Sequence, residues 1–122
     1  MKFFVCKHCG NIVAYVHNAG VPVMCCGEKM QELIPGAVDA AGEKHVPVIE
    51  KNGNIVTVKV GSVAHPMTEE HHIAWIALET KMGNQRKELD VTGSPSAEFA
   101  LVDGDEVVAA YAYCNLHGLW KS

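Results

Sequence analysis

Alternation of apolar and polar residues dominates the chain from residue 43 onward and predicts β-strands. Residues 55–60 show it best, with Val56, Val58 and Val60 on one face of the predicted strand. Turn-forming residues such as Asn52-Gly53 separate the apolar runs, and no segment sustains a helical period. The predicted strands cover residues 46–50, 55–60, 73–80, 85–91, 97–102 and 107–113. Short strands at this spacing predict an antiparallel β-sandwich in an all-β protein.

Residues 1–36 follow a different pattern, because cysteines rather than apolar runs organise them. Cys6 and Cys9 form a C-x2-C pair, and the adjacent Cys25 and Cys26 supply a second pair. A segment this short cannot build a sufficient core, so a metal is needed to hold it together. Four thiolates suit a tetrahedral iron or zinc centre, and this chemistry leaves both metals open. We therefore predict a small metal domain at residues 1–36, followed by a β-sandwich domain at residues 37–122 that begins with a linker.

Composition and charge narrow the functional class. The chain has 122 residues and a net charge of −4, and it contains no basic run, which argues against binding to nucleic acid. No apolar run reaches membrane-spanning length, and the start of the chain lacks a signal-peptide pattern. We therefore expect a cytoplasmic protein. Five cysteines in a reducing compartment indicate metal or redox chemistry rather than disulfide bonds, and the odd number fits four plus one.

A second group of potential ligands lies in the predicted sandwich. Cys114 and His117 are three residues apart near the C-terminus, and His45, His65 and His71 lie beside turn-forming residues upstream. One sulfur and four nitrogens exceed the four ligands of a closed structural zinc site. They suit a transition metal whose chemistry depends on a thiolate and on an open coordination position. The strand pattern places all five residues at strand ends and in loops, where distant positions can converge.

Simpler roles stay open for several residues. A lone buried cysteine such as Cys114 is usually a small core residue. The neighbouring side chains of His71 and His72 should point in opposite directions, so only one of them should be a ligand. On composition alone, Glu43 and Lys44 are solvated loop charges.

Four sequence motifs resemble those of the desulfoferrodoxin family, the two-iron superoxide reductases. The first is the pair Cys6-x2-Cys9 followed by adjacent cysteines, which is similar to desulforedoxin. The other three are similar to neelaredoxin. They are residues 43–51 (Glu-Lys-His-Val-Pro-Val-Ile-Glu-Lys), residues 61–67 (Gly-Ser-Val-Ala-His-Pro-Met) with Glu70-His71, and residues 113–121 (Tyr-Cys-Asn-Leu-His-Gly-Leu-Trp-Lys). The resemblance extends along almost the whole chain.

The resemblance implies a specific set of ligands, partners and activity. It implies one iron in a four-cysteine site and a second iron in a site of four histidines and one cysteine, with an immunoglobulin-like sandwich around the second. In this set Cys114 is the axial sulfur, Glu43 can occupy the sixth position of the oxidised iron, and Lys44 lies near the open face. The implied activity is one-electron reduction of superoxide to hydrogen peroxide without release of oxygen, with a rubredoxin-type electron donor and a homodimeric assembly. The implied iron ligands are Cys6, Cys9, Cys25 and Cys26 in the first site, and His45, His65, His71, His117 and Cys114 in the second.

Three other functions are compatible with parts of the sequence. A blue-copper electron carrier is also a β-sandwich with a late cysteine followed by a histidine, but no methionine follows His117, and four histidines exceed its needs. A non-catalytic iron or zinc module would not react with superoxide. A true dismutase would release oxygen as well as peroxide.

Overall fold

The computed structural model describes residues 1–122, which divide into two compact units, Met1–Ile34 and Pro35–Ser122. Twelve strands and one helical turn make up the regular structure, so the prediction of an all-β protein is confirmed. The one helix has four residues, and no helix is long and apolar enough to cross a membrane. The elements are β1 (Phe3–Val5), β2 (Ile12–Ala14), β3 (Met24–Cys25), β4 (Glu28–Lys29), β5 (Gln31–Glu32), α1 (Gly42–His45), β6 (Pro47–Asn52), β7 (Ile55–Val60), β8 (Ile73–Thr80), β9 (Gly83–Glu88), β10 (Ser96–Ala100), β11 (Val107–Cys114) and β12 (Gly118–Lys121).

The first unit has very little apolar core. Its strands form a three-stranded antiparallel sheet in the order β2-β1-β5, and β3 pairs with β4 as a separate hairpin. Among its apolar side chains only Phe3, Cys6 and Met30 are buried. Each cysteine pair is followed by a glycine with positive φ, 81° at Gly10 and 78° at Gly27, a conformation that other residues rarely adopt. These turns fold the chain back so that both pairs face one point.

The second unit is a sandwich of two antiparallel sheets, with strand orders β10-β7-β6 and β12-β11-β8-β9. Its core lies between the sheets and contains side chains from β7 and β10 of the first sheet and from β8 and β11 of the second. The predicted inner face of β7 is confirmed, since Val56, Val58 and Val60 are at most 1% exposed. A core of this kind fixes strand register, because a one-residue slip would turn these valines to solvent. The ends of β7 and β11 and the start of β8 are therefore fixed supports for the adjoining loops.

Several predicted boundaries differ from the structure. The strands expected at residues 85–91 and 97–102 are observed at Gly83–Glu88 and Ser96–Ala100. No helix was expected, yet Gly42–His45 forms one turn, which is too short to produce a periodic pattern. It ends before Pro47, because proline disfavours helical backbone at the preceding residue, and Val46 has extended angles (φ −70°, ψ 121°). The four-residue strand β12 was also not predicted, because it directly follows the turn at residues 114–117.

Candidate metal centres

The four histidines and the cysteine of the second unit converge on one point. His45 Nε2 lies 3.1 Å from His117 Nδ1 and 3.2 Å from His65 Nε2, and Cys114 Sγ lies 3.8 Å from His117 Nδ1. The ligating atoms of His45, His65, His71 and Cys114 all lie within 4.8 Å of one another. His117 joins this group through Nδ1, whereas His45 and His65 contribute Nε2.

Backbone carbonyls set the tautomers of two of these rings. The Nδ1 of His45 is 2.8 Å from the carbonyl oxygen of Ala41, and the Nδ1 of His65 is 2.7 Å from that of Pro66. A carbonyl oxygen only accepts hydrogen bonds, so each Nδ1 carries the proton and donates it. In the neutral imidazole, each Nε2 is then an unprotonated lone-pair donor directed into the group. A histidine whose other nitrogen is held in this way is the usual form of a metal ligand.

The contacts among these atoms fit a shared cation and do not fit a hydrogen-bonded core. Two unprotonated Nε2 atoms, those of His45 and His65, face each other at 3.2 Å with no hydrogen between them. The Nε2 of His71 is buried and has no hydrogen-bond partner, which is costly for a polar atom. Ligands about 2.1 Å from one metal and at right angles are about 3 Å apart, close to the nitrogen spacings observed. Imidazole and thiolate donors together suit a transition metal such as iron.

Burial keeps the imidazoles available as ligands. It lowers the pKa of His65 to about 4, opposed by the hydrogen bond to Pro66 and assisted by the neighbouring histidines. Burial also lowers the pKa of His71, and the charges of His117, His45, His72 and Lys44 lower it further. These two rings are therefore neutral near pH 7, the form in which a histidine binds a metal.

The end of one strand pair and one close loop contact position these side chains. Cys114 ends β11 and pairs with Gly118 across the turn that carries His117. His45 ends α1, and the main chain of α1 packs against the loop after β7. A Cβ atom placed on Gly61 would lie only 2.6 Å from the carbonyl oxygen of Glu43, so that position requires glycine. The same carbonyl accepts hydrogen bonds from Val63 N (2.9 Å) and from Ser62 Oγ (3.2 Å).

Glu43 and Lys44, the two charged residues singled out from the sequence, lie on α1 directly before His45. Both are exposed, and the Lys44 charge is near enough to lower the pKa of His71. His72 points elsewhere, since its Nδ1 is 2.9 Å from the carbonyl oxygen of Thr68. Of the adjacent pair, only His71 joins the group of ligands.

The four cysteines of the first unit form a second group. Their sulfur atoms lie within 4.8 Å of one another, Cys9 Sγ is 3.6 Å from Cys25 Sγ, and all four thiols are free. Hydrogen bonding from the backbone of Cys9 lowers the pKa of Cys6 to about 6, whereas hydrogen bonding with Cys9 and Cys6 raises the pKa of Cys26 to about 12. Four sulfurs this close cannot all ionise unless a cation compensates their charge. The set fits a tetrahedral iron or zinc site.

Trp120 contacts the group formed by the four histidines and Cys114, which we call the mixed centre. The sequence analysis gave this tryptophan no role. Its ring lies 4.9 Å from the His45 ring at an interplanar angle of 32°, and its Nε1 donates a 3.1 Å hydrogen bond to the carbonyl oxygen of His117. One buried indole thus contacts two of the four histidines. In the sequence, only its position three residues after His117 could have indicated this contact.

The fold and the two centres define a small all-β metalloprotein with one thiolate site and one mixed imidazole–thiolate site. The sequence profile of the family described as desulfoferrodoxin matches residues 37–122. The chain is 50% identical to the desulfoferrodoxin of Nitratidesulfovibrio vulgaris over 121 residues, which cover 99% of this chain and 94% of the relative. It is 48% identical to a desulfoferrodoxin homolog of Archaeoglobus fulgidus over 122 residues, covering 100% and 96%.

A solved structure agrees with these sequence matches. The superoxide reductase of Treponema pallidum superposes with a TM-score of 0.85 at 49% identity, covering 99% of this chain and 97% of that one. This chain belongs to the desulfoferrodoxin family. The resemblance inferred from its motifs is thereby confirmed.

Proposed function

We propose that this protein is a superoxide reductase that converts superoxide, one electron and two protons into hydrogen peroxide without releasing oxygen. The observation that carries the proposal is the convergence of four imidazoles and one thiolate at the edge of the sandwich. The match to superoxide reductases and desulfoferrodoxins along the full chain supports it. The physiological role that we infer is detoxification of superoxide.

Each centre holds one iron ion in this proposal. Cys6, Cys9, Cys25 and Cys26 bind the first, in a desulforedoxin-like domain at residues 1–36. Residues 37–122 form the neelaredoxin-like domain, in which His45, His65, His71, His117 and Cys114 bind the second. Iron at the second centre supplies the single electron that superoxide accepts.

A positively charged side chain beside the centre gives it a local attraction for an anion. The net charge of −4 disfavours long-range attraction of superoxide, so the attraction must come from nearby groups. Lys44 is exposed on the helical turn that carries His45, and we assign it to attracting superoxide and to ordering the water that supplies protons. Glu43 precedes it on the same turn, and we assign its carboxylate as the additional oxygen ligand of the oxidised centre.

The burial of Cys114 suits a thiolate that works beside peroxide. Its side chain is 0% exposed and is part of the sandwich core. Thiolates oxidise according to their exposure, so burial shields this sulfur from the product of the reaction. If it held the metal, this thiolate would donate electron density to it, which would favour departure of the product.

The remaining assignments concern partners and location. We propose that a rubredoxin-type protein returns the electron, that the chain assembles as a homodimer, and that it acts in the cytoplasm. The donor and the dimer are inferred from the family resemblance, and the cytoplasmic location is the expectation drawn from the sequence.

Dependence on an added reductant tests this function. Iron-loaded, reduced protein should consume superoxide continuously while an electron donor is present. When the donor is omitted, consumption should stop after at most one equivalent for each ferrous ion that the chain holds. Continued consumption without a donor would indicate a dismutase. No consumption by a fully loaded sample would indicate an electron carrier or a structural module.

A further inference from the structure

Asn115 links the two loops that carry His71 and Cys114. It is exposed in the turn between Cys114 and His117. Its side-chain Oδ1 accepts a 2.9 Å hydrogen bond from the backbone N–H of His72, and its Nδ2 donates a 3.0 Å bond to the carbonyl oxygen of Glu70. Its backbone N–H donates a third bond, 3.2 Å long, to the carbonyl oxygen of His72. The residues on both sides of His71 are thus bound to the residue after Cys114.

His71 needs such a link more than His45 and His65 do. The rings of His45 and His65 are anchored by Nδ1 bonds to the carbonyls of Ala41 and Pro66. The ring of His71 has no comparable bond to a backbone carbonyl, and its Nε2 is buried without a partner. Its backbone and its neighbours therefore direct this ring into the centre. Ligand histidines usually obtain their orientation from an outer hydrogen bond to the ring. Here the equivalent restraint acts on the main chain.

Thr68 supplies a different restraint on the same loop. Its Oγ1 accepts a 3.1 Å bond from His71 N, and its backbone N–H donates a 2.9 Å bond to the carbonyl oxygen of His71. These bonds close the loop upon itself without connecting it to β11 or to Cys114. Strand pairing joins Ile73, directly after this loop, to Cys114. The bonds of Asn115 extend that connection to the residues on both sides of His71.

We propose that Asn115 is a positioning residue that holds His71 in register with Cys114 and so sets the metal affinity and spectrum of the mixed centre. The inference rests on the proposed metal centre and extends it to a residue that does not contact the metal. It predicts that the amide side chain matters through both its acceptor and its donor.

The test compares variants at two exposed asparagines. Asn115→Ala removes both side-chain bonds, and Asn115→Asp keeps the acceptor for His72 N but replaces the donor that faces the Glu70 carbonyl. Asn84→Ala is the matched control, since Asn84 is exposed on β9 of the same unit. The first readout is ferrous-iron affinity of the mixed centre, measured by competition with a chelator while the four-cysteine iron serves as an internal reference. The second is the thiolate-to-iron absorption of the oxidised protein, and the third is hydrogen exchange of the His72 amide.

Loss of an outer restraint on a metal ligand costs about 10- to 100-fold in affinity. We therefore expect Asn115→Ala to bind iron at the mixed centre about 10- to 100-fold more weakly, with a shifted absorption band and faster exchange at His72. Asn115→Asp should be intermediate, and Asn84→Ala should match the unmodified protein. Amide exchange in β7 and β8 of iron-loaded Asn115→Ala should be unchanged, which separates positioning from a general structural effect.

Two results would overturn the inference. One is unchanged affinity and spectrum in Asn115→Ala, and the other is a loss of affinity accompanied by equally faster amide exchange throughout β7 and β8. If Asn115→Ala does not fold, the test uses Asn115→Asp. Unchanged affinity and spectrum in that variant would also overturn the inference. If the unmodified protein itself binds no metal at the mixed centre, the proposed function fails first, which keeps the two failures distinct.

Discussion

Replacing Gly61 with alanine should disturb the mixed centre without touching any ligand. The added Cβ would lie 2.6 Å from the Glu43 carbonyl oxygen, 3.0 Å from the Lys44 carbonyl carbon and 3.1 Å from the Glu43 carbonyl carbon. All three contacts are with backbone, so no side-chain rotation can relieve them. The turn that carries Glu43, Lys44 and His45 must move.

The contact distances give the size of the movement. An ordinary van der Waals contact begins near 3.4 Å, so the closest pair must separate by 3.4 − 2.6 = 0.8 Å. His45 is the residue directly after Lys44 and would shift with the turn. A misplacement of about 1 Å costs about 100-fold in rate when it affects reacting groups. Overpacking by one methyl group also costs about 1–3 kcal/mol of folding free energy.

The assay measures iron content, superoxide reduction rate and melting temperature of Gly61→Ala beside a control. Gly42→Ala is that control. Gly42 is the first residue of the same helical turn, and a Cβ placed there meets only Val46 Cγ2, at 4.0 Å. We expect Gly61→Ala to lose between tenfold and 100-fold in rate or to lose iron from the mixed centre, while Gly42→Ala keeps both. Equal rates and iron contents in the two variants would refute the idea that this contact holds the turn in place.

Four other outcomes follow from the structure. Lys44→Ala should slow the reaction with superoxide about 10-fold and flatten its dependence on salt, and a rate that keeps its salt dependence would remove Lys44 from this role. Cys114→Ser should abolish the thiolate-to-iron absorption of the mixed centre, and persistence of that band would refute the ligand assignment. Cys9→Ser should remove amide exchange protection from β1, β2 and β5 but not from β7 and β8, because the first unit buries so few apolar side chains. Asp105→Asn should lower the melting temperature at pH 7, and the difference should shrink on acidification through the ordinary pKa of 3.8. The reason is that hydrogen bonds from Thr80 Oγ1 and from two backbone N–H groups lower the pKa of the folded carboxylate, so its stabilisation is complete above that pH and is lost below it. A difference that is constant with pH would contradict this reason.

Alternation of apolar residues was enough to predict the main strands. The expected ranges 55–60 and 73–80 coincide with β7 and β8, because the buried faces of these strands impose the pattern directly. The pattern could not reveal α1, since a single turn presents no repeat, or β12, which has only four residues. The linker expected at the start of the second domain therefore runs into α1, the helical turn that ends at His45.

The chemistry of the centres was easier to predict than their geometry. Cysteine and histidine spacing marked the residues that the structure brings together. It could not indicate that His117 presents Nδ1 while His45 presents Nε2, because ring orientation depends on the turn before Gly118 and on the Ala41 carbonyl. Nor could it reveal the bonds from Asn115 to the residues beside His71, which exist only once two distant loops meet.

The products of a single reaction test the central claim most directly. Fully iron-loaded protein is reduced without oxygen and mixed with superoxide in the presence of excess reductant, and both peroxide and oxygen are followed. A reductase should yield one peroxide per superoxide consumed and no oxygen beyond the buffer control. Peroxide accompanied by oxygen in equal amounts would mean dismutation, and the absence of both products would contradict superoxide chemistry at this centre altogether.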